Sequence, residues 1–329
     1  MLTRAELEAV CARVYRSLSP TPQYCWPLLR QRLGVEVWVK HENQTPIGAF
    51  KIRGGLEALT ELREREPALR GVITATRGNH GQSVALAARQ VGLTATIVVP
   101  CGNSPEKNAA MRALGAELVV EGHDFQAALE HARALAEERR LRIIPPFDLV
   151  LVRGVATYGH ELLSGAPPLD AIYVPIGMGS GICGTILARE ALGKTTPIIG
   201  VVSEHAPAYA LSVAAGAPVC TESADTMADG IACRVPDPEA LAIVSAHAER
   251  ILTVADAEIE AAMRILFSDT HNVAEGAGAA ALAGLIRERD VMAGKRVAVV
   301  LSGGNVDRDT YARVLSSHDA EALDGGAPG

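Results

Sequence analysis

Residues 171–184 read AIYVPIGMGSGICG and determine the predicted fold, because an apolar strand here passes through a glycine-rich turn into a helix. The strand is apolar along its whole length, as strands buried on both faces of a sheet are. Similar apolar segments occur at 35–40, 71–76, 95–100, 116–122, 197–204 and 296–304. Helical segments alternate with them, at 83–91, 106–114, 124–140, 182–191 and 256–269. This alternation indicates an α/β protein with mostly parallel sheets and right-handed crossovers.

Composition argues against several classes of partner. The chain has 329 residues, of which 48% are hydrophobic and 4% aromatic, and its net charge is -7. Without a long basic run, neither nucleic acid nor an anionic membrane is an expected partner. The N-terminal segment MLTRAELEAVCARVYRSL predicts an amphipathic helix and not a signal peptide, and no apolar run is long enough to span a membrane. The cysteines are scattered without a CxxC pair, so we expect reduced thiols in a cytoplasmic protein.

Four glycine-bearing turns between strands and helices are predicted, at 48–55, 76–82, 177–184 and 302–305. Ligands of parallel sheets bind at the carboxyl ends of the strands, so we expect these turns to converge on one cleft. The second turn reads TRGNHGQ, and its successive backbone N–H groups before a helix would form a nest suited to a carboxylate. An ordinary glycine turn with Asn79 as its polar residue is the alternative, and a tight Gly-Gly turn is the alternative for the last segment.

The glycine loop at 174–184, VPIGMGSGICG, has two interpretations. Amides at a helix N-terminus, together with the helix dipole, bind phosphate. Residues 179–184 also fit GxGxxG, and Glu204 ends the following strand, which is the pattern of a nicotinamide-dinucleotide site. That fingerprint normally follows the first strand of its domain, whereas this loop is in the middle of the chain. The loop alone does not choose between the two.

An unusual lysine lies in the segment 41–55, HENQTPIGAFKIRGG. Lys51 is flanked by Phe50 and Ile52 and followed by a glycine pair, although an ammonium group prefers water. Partial burial lowers the pKa of a lysine and makes its amine available to form a Schiff base. A surface lysine beside a turn fits the local sequence equally well.

The wording of this segment resembles the lysine motif of the fold type II pyridoxal-phosphate enzymes, and most closely the branch of serine/threonine dehydratases (threonine deaminases) and serine racemases. The matching residues are Glu42, Gln44, Phe50, Lys51, Arg53 and Gly54. The resemblance covers roughly residues 15–315. It implies that pyridoxal 5'-phosphate is the cofactor, that Lys51 forms the Schiff base and that the same lysine is the base acting at the substrate's α-carbon. A dehydrogenase has no use for this motif, so the resemblance favours the phosphate interpretation of the glycine loop.

The same resemblance assigns further site residues. It implies a cofactor site formed by Phe50, Lys51, Asn79, Gly177, Met178, Gly179, Ser180, Gly181 and Ser302. Within this set, Asn79 contacts the 3'-oxygen of the cofactor and Ser302 is the partner of the pyridine nitrogen. The substrate loop implied by the resemblance consists of Thr76, Arg77, Gly78, Asn79 and His80, which hold the substrate carboxylate. The segments around 147–157, 227–232 and 272–284 also resemble stretches of the family.

Two residues favour elimination over racemisation. Serine racemases have a serine and many dehydratases an alanine where this chain has Arg77. A guanidinium stays protonated and does not readily shuttle a proton. Arg77 is expected either to point to solvent or to contact a distal group of the substrate. Ser302 brings no negative charge to the pyridine nitrogen, which favours elimination without excluding racemisation.

The sequence therefore predicts a pyridoxal-phosphate dependent ammonia-lyase (dehydratase) that converts a small β-hydroxy amino acid into a 2-oxo acid and ammonia. Threonine and serine are the expected substrates, and phenylserine and 3-hydroxyaspartate remain open. The alternatives are a serine or aspartate racemase, a β-replacement synthase and a non-catalytic pyridoxal-phosphate binding paralogue. The resemblance also implies a homodimer.

The predicted architecture has two open, twisted, mostly parallel sheet domains, similar to the tryptophan synthase β fold. Residues 1–52 and 149–318 form the larger domain, 53–148 the smaller one, and 319–329 a mobile tail. No metal site is predicted, and dependence on a divalent cation is left open. Glu204 matches the first ligand of a cation site found in the racemase branch, but Ala210 occupies the position of the expected aspartate, which weakens an oxygen-rich site.

Overall fold

Two separate sheets organise the protein, for which a computed structural model describes residues 1–317. Within this range the strands are β1 (Gln23–Cys25), β2 (Glu36–His41), β3 (Gly71–Ala75), β4 (Thr94–Val99), β5 (Glu117–Val120), β6 (Arg142–Ile143), β7 (Ala171–Pro175), β8 (Ile198–Ser203), β9 (Arg250–Val254) and β10 (Arg296–Leu301). The larger sheet has six strands in the order β1-β2-β10-β7-β8-β9, and the smaller has four in the order β5-β4-β3-β6. Apart from the antiparallel β1–β2 pair, neighbouring strands run parallel.

Helices cover both sheets. They are α1 (Arg4–Val14), α2 (Pro27–Leu33), α3 (Lys51–Arg65), α4 (Asn79–Gln90), α5 (Pro105–Ala113), α6 (Phe125–Arg139), α7 (Leu149–Gly165), α8 (Ser180–Ala191), α9 (Ala208–Ala215), α10 (Pro238–His247), α11 (Asp256–Thr270), α12 (Gly276–Arg287), α13 (Arg289–Met292) and α14 (Arg308–Ser316). Two short 3-10 turns lie at Glu42–Gln44 and Asp229–Ile231. None of the helices in residues 1–317 is both long and apolar enough to cross a membrane.

The predicted α/β class with mostly parallel sheets is confirmed. Each predicted strand is present, and three further strands in residues 1–317 were not predicted. β1 and β6 have only three and two residues, too short for a pattern. β9 reads RILTV and is half-buried at the sheet edge, so it lacks the continuous apolar character of the central strands.

The predicted turn at 48–55 is wrong in its second half, because α3 begins at Lys51. The glycine pair lies inside this helix and serves packing. A Cβ atom at Gly54 would stand 2.8 Å from the carbonyl oxygen of Leu151 on α7, and a Cβ at Gly154 would overlap the carbonyl oxygen of Arg53. The two helix backbones therefore touch, which fixes the start of α3 against α7.

The core of each sheet is continuous with α1. Leu7 and Cys11 pack in the core of the larger sheet, whereas Val10 and Val14 pack in that of the smaller sheet. The helix thus joins the two units. The predicted domain boundaries remain a proposal, although the strands between residues 71 and 143 form the smaller sheet by themselves. The predicted mobile tail at 319–329 lies outside the described residues.

Candidate active site

Lys51 begins α3 at a point that is tied to the end of β10. The backbone N–H of Phe50 donates to the carbonyl of Ser302 at 3.0 Å, and Ala49 forms an isolated bridge with Gly303. Two of the predicted glycine turns therefore lie side by side. The predicted site residues Phe50, Lys51 and Ser302 come together here.

The amine of Lys51 lies in a partly buried environment. Its Nζ atom is 3.3 Å from the hydroxyl oxygen of Ser180 and 4.9 Å from the centroid of the Phe50 ring. Burial lowers the pKa of this lysine to about 8, against the opposing charge of Glu275. A substantial fraction of the amine is thus neutral near physiological pH, as a nucleophile or base requires.

A buried ionic network fixes the helix that carries the lysine. The side chain of Arg53 is fully buried, and its Nε and Nη1 atoms donate to Glu42 and Glu161, each at 2.6 Å. Lys40 donates to Glu161 at 2.5 Å. Burial works against ionisation of Glu161, but the charges of Arg53 and Lys40 hold its pKa below the usual value. Two cations and two carboxylates compensate each other, and they join β2, α3 and α7 behind Lys51.

Asn79, the first residue of α4, belongs to a second network. Its Nδ2 atom donates to Oε1 of Glu275 at 2.7 Å, and its Oδ1 atom accepts from Nδ2 of Asn305 at 2.7 Å. Asn305 also donates to the carbonyl of Ile47 at 2.7 Å. Both hydrogen-bonding ends of the Asn79 amide are therefore engaged.

Glu275 is a buried carboxylic acid near Lys51, at the N-terminus of α12. Burial raises its pKa to about 7, and the negative charge of Asp229 adds to this effect. Lys107, the hydrogen bond from Asn79 and Lys51 act in the opposite direction. The acid therefore titrates near neutrality, as groups at functional sites often do.

The predicted substrate loop precedes α4 and exposes several amides. The hydroxyl of Thr76 accepts the N–H of Gly78 at 3.1 Å. Among residues 1–317, the backbone N–H groups of Arg77, Asn79 and His80 donate to no protein acceptor. Three free amides at a helix N-terminus favour an anion such as a carboxylate.

His80 is buried beneath this loop. Its Nε2 atom lies 3.3 Å from the carbonyl of Ile144, so the ring donates there. Burial lowers its pKa to about 4, and the charge of Lys51 acts in the same direction. The imidazole is thus neutral at physiological pH, and its visible contact is structural.

Arg77 reaches across the cleft between the two sheets. Its side chain is 57% exposed, and Nε lies 3.6 Å from Oδ1 of Asp229. Lys107 approaches the other oxygen of Asp229 at 3.7 Å. The two contacts predicted for Arg77, solvent and a distal substrate group, did not include this carboxylate. Two cations and one carboxylate leave a net positive charge beside the substrate loop.

The glycine loop between β7 and α8 has the form expected for a phosphate site. A Cβ atom at Gly177 would overlap the carbonyl oxygen of Gly230, and Gly179 has a φ of 98°, which favours glycine. The side chain of Met178 packs in the core of the larger sheet, and Cys233 lies 3.8 Å from its sulfur atom. These contacts therefore fix the loop backbone on the side that faces the core.

The donor set of this loop fits a phosphate dianion. Gly179, Ser180, Gly181 and Ile182 lie largely out of solvent, yet their backbone N–H groups have no acceptor within the described part of the chain. Buried amides without partners are costly, and a bound anion at the N-terminus of α8 would satisfy them. The Ser180 hydroxyl and the Lys51 amine lie at the same place. The residues present therefore suit a phosphorylated cofactor that also reacts with an amine.

Ser302 provides an uncharged group beside the start of α3. It is 5% exposed, and its hydroxyl lies 3.4 Å from the carbonyl of Ala277, the long limit of a hydrogen bond. A weakly engaged hydroxyl can turn to donate to a ring nitrogen. The role that the resemblance implies for Ser302, as partner of the pyridine nitrogen, stays a prediction.

Glu204 directly follows β8 and is partly exposed. Its carboxylate is 3.6 Å from Nε2 of His205, and its side chain is 48% exposed. No group of three His, Cys, Asp or Glu side chains able to hold a metal occurs in residues 1–317. A cation at Glu204 stays a prediction without support from neighbouring ligands.

Sequence reasoning missed four polar partners of the site. Glu275 lies in the segment 272–284, which resembles a stretch of the family but was given no role. Glu161 and Lys107 are helix residues outside any motif, and Asp229 was noted only as part of a short matching stretch. A charged residue among apolar helix neighbours, as in 158–163 (YGHELL), was the available signal for Glu161.

Comparison with known proteins places this geometry in a wider context. Residues 14–303 match the family described as "Pyridoxal-phosphate dependent enzyme". The chain is 36% identical over 290 residues to an L-threonine ammonia-lyase of Thermotoga maritima, covering 88% of this chain and 72% of that protein. It is 33% identical over 308 residues to the L-threo-3-hydroxyaspartate ammonia-lyase of Saccharomyces cerevisiae, covering 93% and 94%.

Solved structures give the same result. The processed form of threonine deaminase isoform 2 from Solanum lycopersicum has a TM-score of 0.90 and 32% identity, covering 95% of this chain and 93% of that one. Maize serine racemase has a TM-score of 0.89 and 26% identity, covering 94% and 96%. The overall fold therefore does not separate a lyase from a racemase.

Proposed function

The chain belongs to the family of pyridoxal-phosphate dependent enzymes, and on that premise we propose that it is an ammonia-lyase that removes the β-hydroxyl group of a small amino acid. The family and the cofactor predicted from the lysine segment are confirmed. The observation that carries the proposal is the Lys51 amine, which lies beside Ser180 at the N-terminus of α8. When bound, pyridoxal 5'-phosphate withdraws electrons from the α-carbon of the substrate and so makes the α-proton acidic.

Lys51 has the chemistry of the base. A partly buried amine whose pKa is lowered to about 8 exchanges protons readily near neutral pH. In the proposed reaction its Nζ atom takes the α-proton, and the β-hydroxyl leaves with a proton as water. The enamine product then takes up water and releases ammonia, which leaves the 2-oxo acid. The buried network around Arg53 keeps the amine in place during this exchange.

The substrate carboxylate is assigned to the loop 76–80. Free N–H groups of Arg77, Asn79 and His80 support this assignment, together with the N-terminus of α4. The neutral state of His80 fits a supporting role under the loop. The backbone thus supplies the recognition that is common to all amino acids.

We assign the side-chain preference to the groups opposite this loop. Threonine and serine are the first candidate substrates, in line with the relatives named threonine ammonia-lyases. The net positive charge formed by Arg77, Lys107 and Asp229 specifically favours 3-hydroxyaspartate, whose β-carboxylate would lie there. Racemisation is less well supported, because a guanidinium does not readily shuttle a proton and Arg77 is paired with Asp229.

The direct test is 2-oxo acid release by the cofactor-loaded protein from threonine, serine, phenylserine and 3-hydroxyaspartate. We expect release from at least one of them and a loss of at least about a thousandfold for Lys51→Ala. Lys194→Ala, which removes an exposed lysine, is the matched control. Appearance of the opposite enantiomer without 2-oxo acid would contradict the proposal and favour a racemase.

Arg77→Ala tests the origin of the preference. If Arg77 contacts a β-carboxylate, the variant loses kcat/KM for 3-hydroxyaspartate by roughly ten- to a hundredfold relative to serine, the effect of one charge-assisted hydrogen bond. Unchanged relative kcat/KM values across the four substrates would dispose of this role.

Homodimerisation also stays a prediction. Measuring the mass of the protein in solution tests it.

A further inference from the structure

A chain of side-chain amides crosses the cleft and has a fixed polarity. At one end, the carbonyl oxygen of Ile47 accepts from Asn305; at the other, a carboxylate oxygen of Glu275 accepts from Asn79. A carbonyl and an ionised carboxylate can only accept hydrogen bonds. Between these two acceptors, the amide nitrogen of Asn305 also donates to the amide oxygen of Asn79.

The two ends determine which way each amide faces. If Asn305 were reversed, its oxygen would face the oxygens of Ile47 and Asn79. A reversed Asn79 would place its nitrogen against the donating nitrogen of Asn305, and its oxygen 2.7 Å from Oε1 of Glu275, where two acceptors repel each other when the acid is ionised. Each alternative leaves partly buried polar groups without hydrogen bonds, which weakens the fold at this point. The observed orientation is therefore strongly preferred.

Glu275 is itself held firmly. Its backbone N–H donates to the carbonyl of Gly303 at 3.1 Å, and its side chain is buried between the Gly303 turn and Gly230. Charged groups on three other elements face it, namely Lys51 on α3, Lys107 on α5 and Asp229 in the 3-10 turn. The two lysines favour its ionised form, in which it is a stronger acceptor for Asn79.

We propose that Glu275 and Asn305 are positioning residues that hold the Asn79 amide with its nitrogen on the side of Glu275, so that Asn79 meets the bound cofactor as a hydrogen-bond donor. This inference rests on the proposed function, because it assumes that the cofactor is bound in the site. The Nδ2 atom has two hydrogens, of which one is used by Glu275. The second is available to an oxygen substituent of the cofactor ring, and a donor at that oxygen stabilises its ionised form.

Two substitutions of nearly unchanged shape separate orientation from mere packing. Asn305→Asp replaces the donor with an acceptor, so the Asn79 nitrogen is drawn toward residue 305 and its oxygen is turned to the other side. Glu275→Gln keeps an acceptor for Asn79 but removes the charge. A purely structural role predicts similar effects for the two variants, whereas a positioning role predicts a much larger effect for Asn305→Asp.

The experiment measures binding of pyridoxal 5'-phosphate and the absorbance spectrum of the loaded protein without substrate, with Glu130→Gln on the surface of α6 as the control. We expect Asn305→Asp to weaken binding by roughly tenfold or more, the effect of one lost charge-assisted hydrogen bond, and to change the pH at which the spectrum titrates. Glu275→Gln is expected to lose less affinity. The thermal transition of each protein without the cofactor reports whether it is folded.

The outcomes distinguish this inference from the function on which it rests. If the wild-type protein binds no pyridoxal 5'-phosphate, the proposed function fails and the inference fails with it. If wild-type binding is normal and folded Asn305→Asp binds with the same affinity and spectrum, only the inference is overturned.

A double variant decides the case in which Asn305→Asp does not fold. Combining it with Glu275→Gln supplies a side-chain amide at position 275, which can donate to the oxygen of a reversed Asn79. A folded double variant with wild-type affinity would overturn the inference, and weak binding by the folded double variant would support it.

Discussion

The amine nitrogen of Lys51 lies 3.3 Å from the hydroxyl oxygen of Ser180, where the start of α3 meets the start of α8. A helix N-terminus is electropositive, and an ammonium group beside it adds a second positive potential. An anion bound at this point would stabilise both the helix N-terminus and the ammonium group. Without the anion, the positive helix terminus favours the neutral form of the Lys51 amine. The contact thus couples phosphate recognition to the reactivity of the lysine.

This coupling predicts how the empty protein captures its cofactor. Because the neutral amine is the nucleophile and the pKa of Lys51 is lowered to about 8, the capture rate rises with pH and levels off above that value. Below it the rate falls about tenfold for each pH unit. Stopped-flow absorbance after mixing with pyridoxal 5'-phosphate measures the rate. A rate that keeps rising toward a pH of about 10 would indicate an ordinary exposed lysine.

A second prediction concerns Glu275 and the stability of the cofactor-free protein. Burial raises its pKa from 4.5 to about 7, so the folded state binds the proton more tightly than the unfolded state. The resulting stabilisation is fully present below the unfolded pKa and is lost as the pH rises through about 7. Between about pH 4.5 and about pH 8 we expect wild type to lose roughly 3 kcal/mol relative to Glu275→Gln. Urea unfolding at several pH values measures this difference, and parallel profiles would refute it.

The ionic network behind Lys51 gives a third prediction. Glu161→Gln removes the carboxylate shared by Arg53 and Lys40 and leaves buried positive charge uncompensated. The free energy of unfolding should fall by about 3–5 kcal/mol. Glu8→Gln, which breaks the exposed pair with Arg4, should cost less than about 0.5 kcal/mol. Chemical denaturation of both variants decides, and similar small losses would mean that the network contributes little.

Two neighbouring glycines provide the fourth prediction. A Cβ atom at Gly177 would overlap the backbone of Gly230, whereas at Gly181 the nearest atom would be 3.6 Å away, the hydroxyl oxygen of Tyr158. Gly177→Ala should therefore lose about 1–3 kcal/mol of stability and bind the cofactor more weakly. Gly181→Ala lies within α8 and should be neutral or slightly stabilising, because alanine favours the helix. Thermal unfolding compares the pair, and equal losses would contradict the packing described.

The sequence predicts features formed by adjacent residues far better than contacts between distant segments of the chain. The strands and turns around Lys51, Asn79 and Ser302 can be recognised locally, because glycine spacing and apolar runs involve residues that are adjacent in the sequence. Their convergence on one cleft follows from the geometry of parallel sheets. The start of α3 was the local failure, because Gly54 and Gly55 look like a turn and serve instead for close helix packing.

Partners from distant segments leave no such signature. Glu161 meets Arg53 only because α3 crosses α7, and Glu275 meets Asn79 only because α12 begins beside α4. The pairing of Arg77 with Asp229 likewise depends on how the two sheets face each other. A single charged residue in a helix sequence does not indicate which other element it contacts. These contacts are therefore visible only in the structure.

The amine of Lys51 is the group on which the proposed chemistry depends, because it joins the cofactor to the protein. Borohydride reduction of the loaded protein, digestion and mass spectrometry of the peptides locate the attached phosphopyridoxyl group. We predict that it is found on Lys51 and that Lys51→Ala carries none. Attachment to a different lysine in wild type, or undiminished labelling of Lys51→Ala, would contradict this assignment.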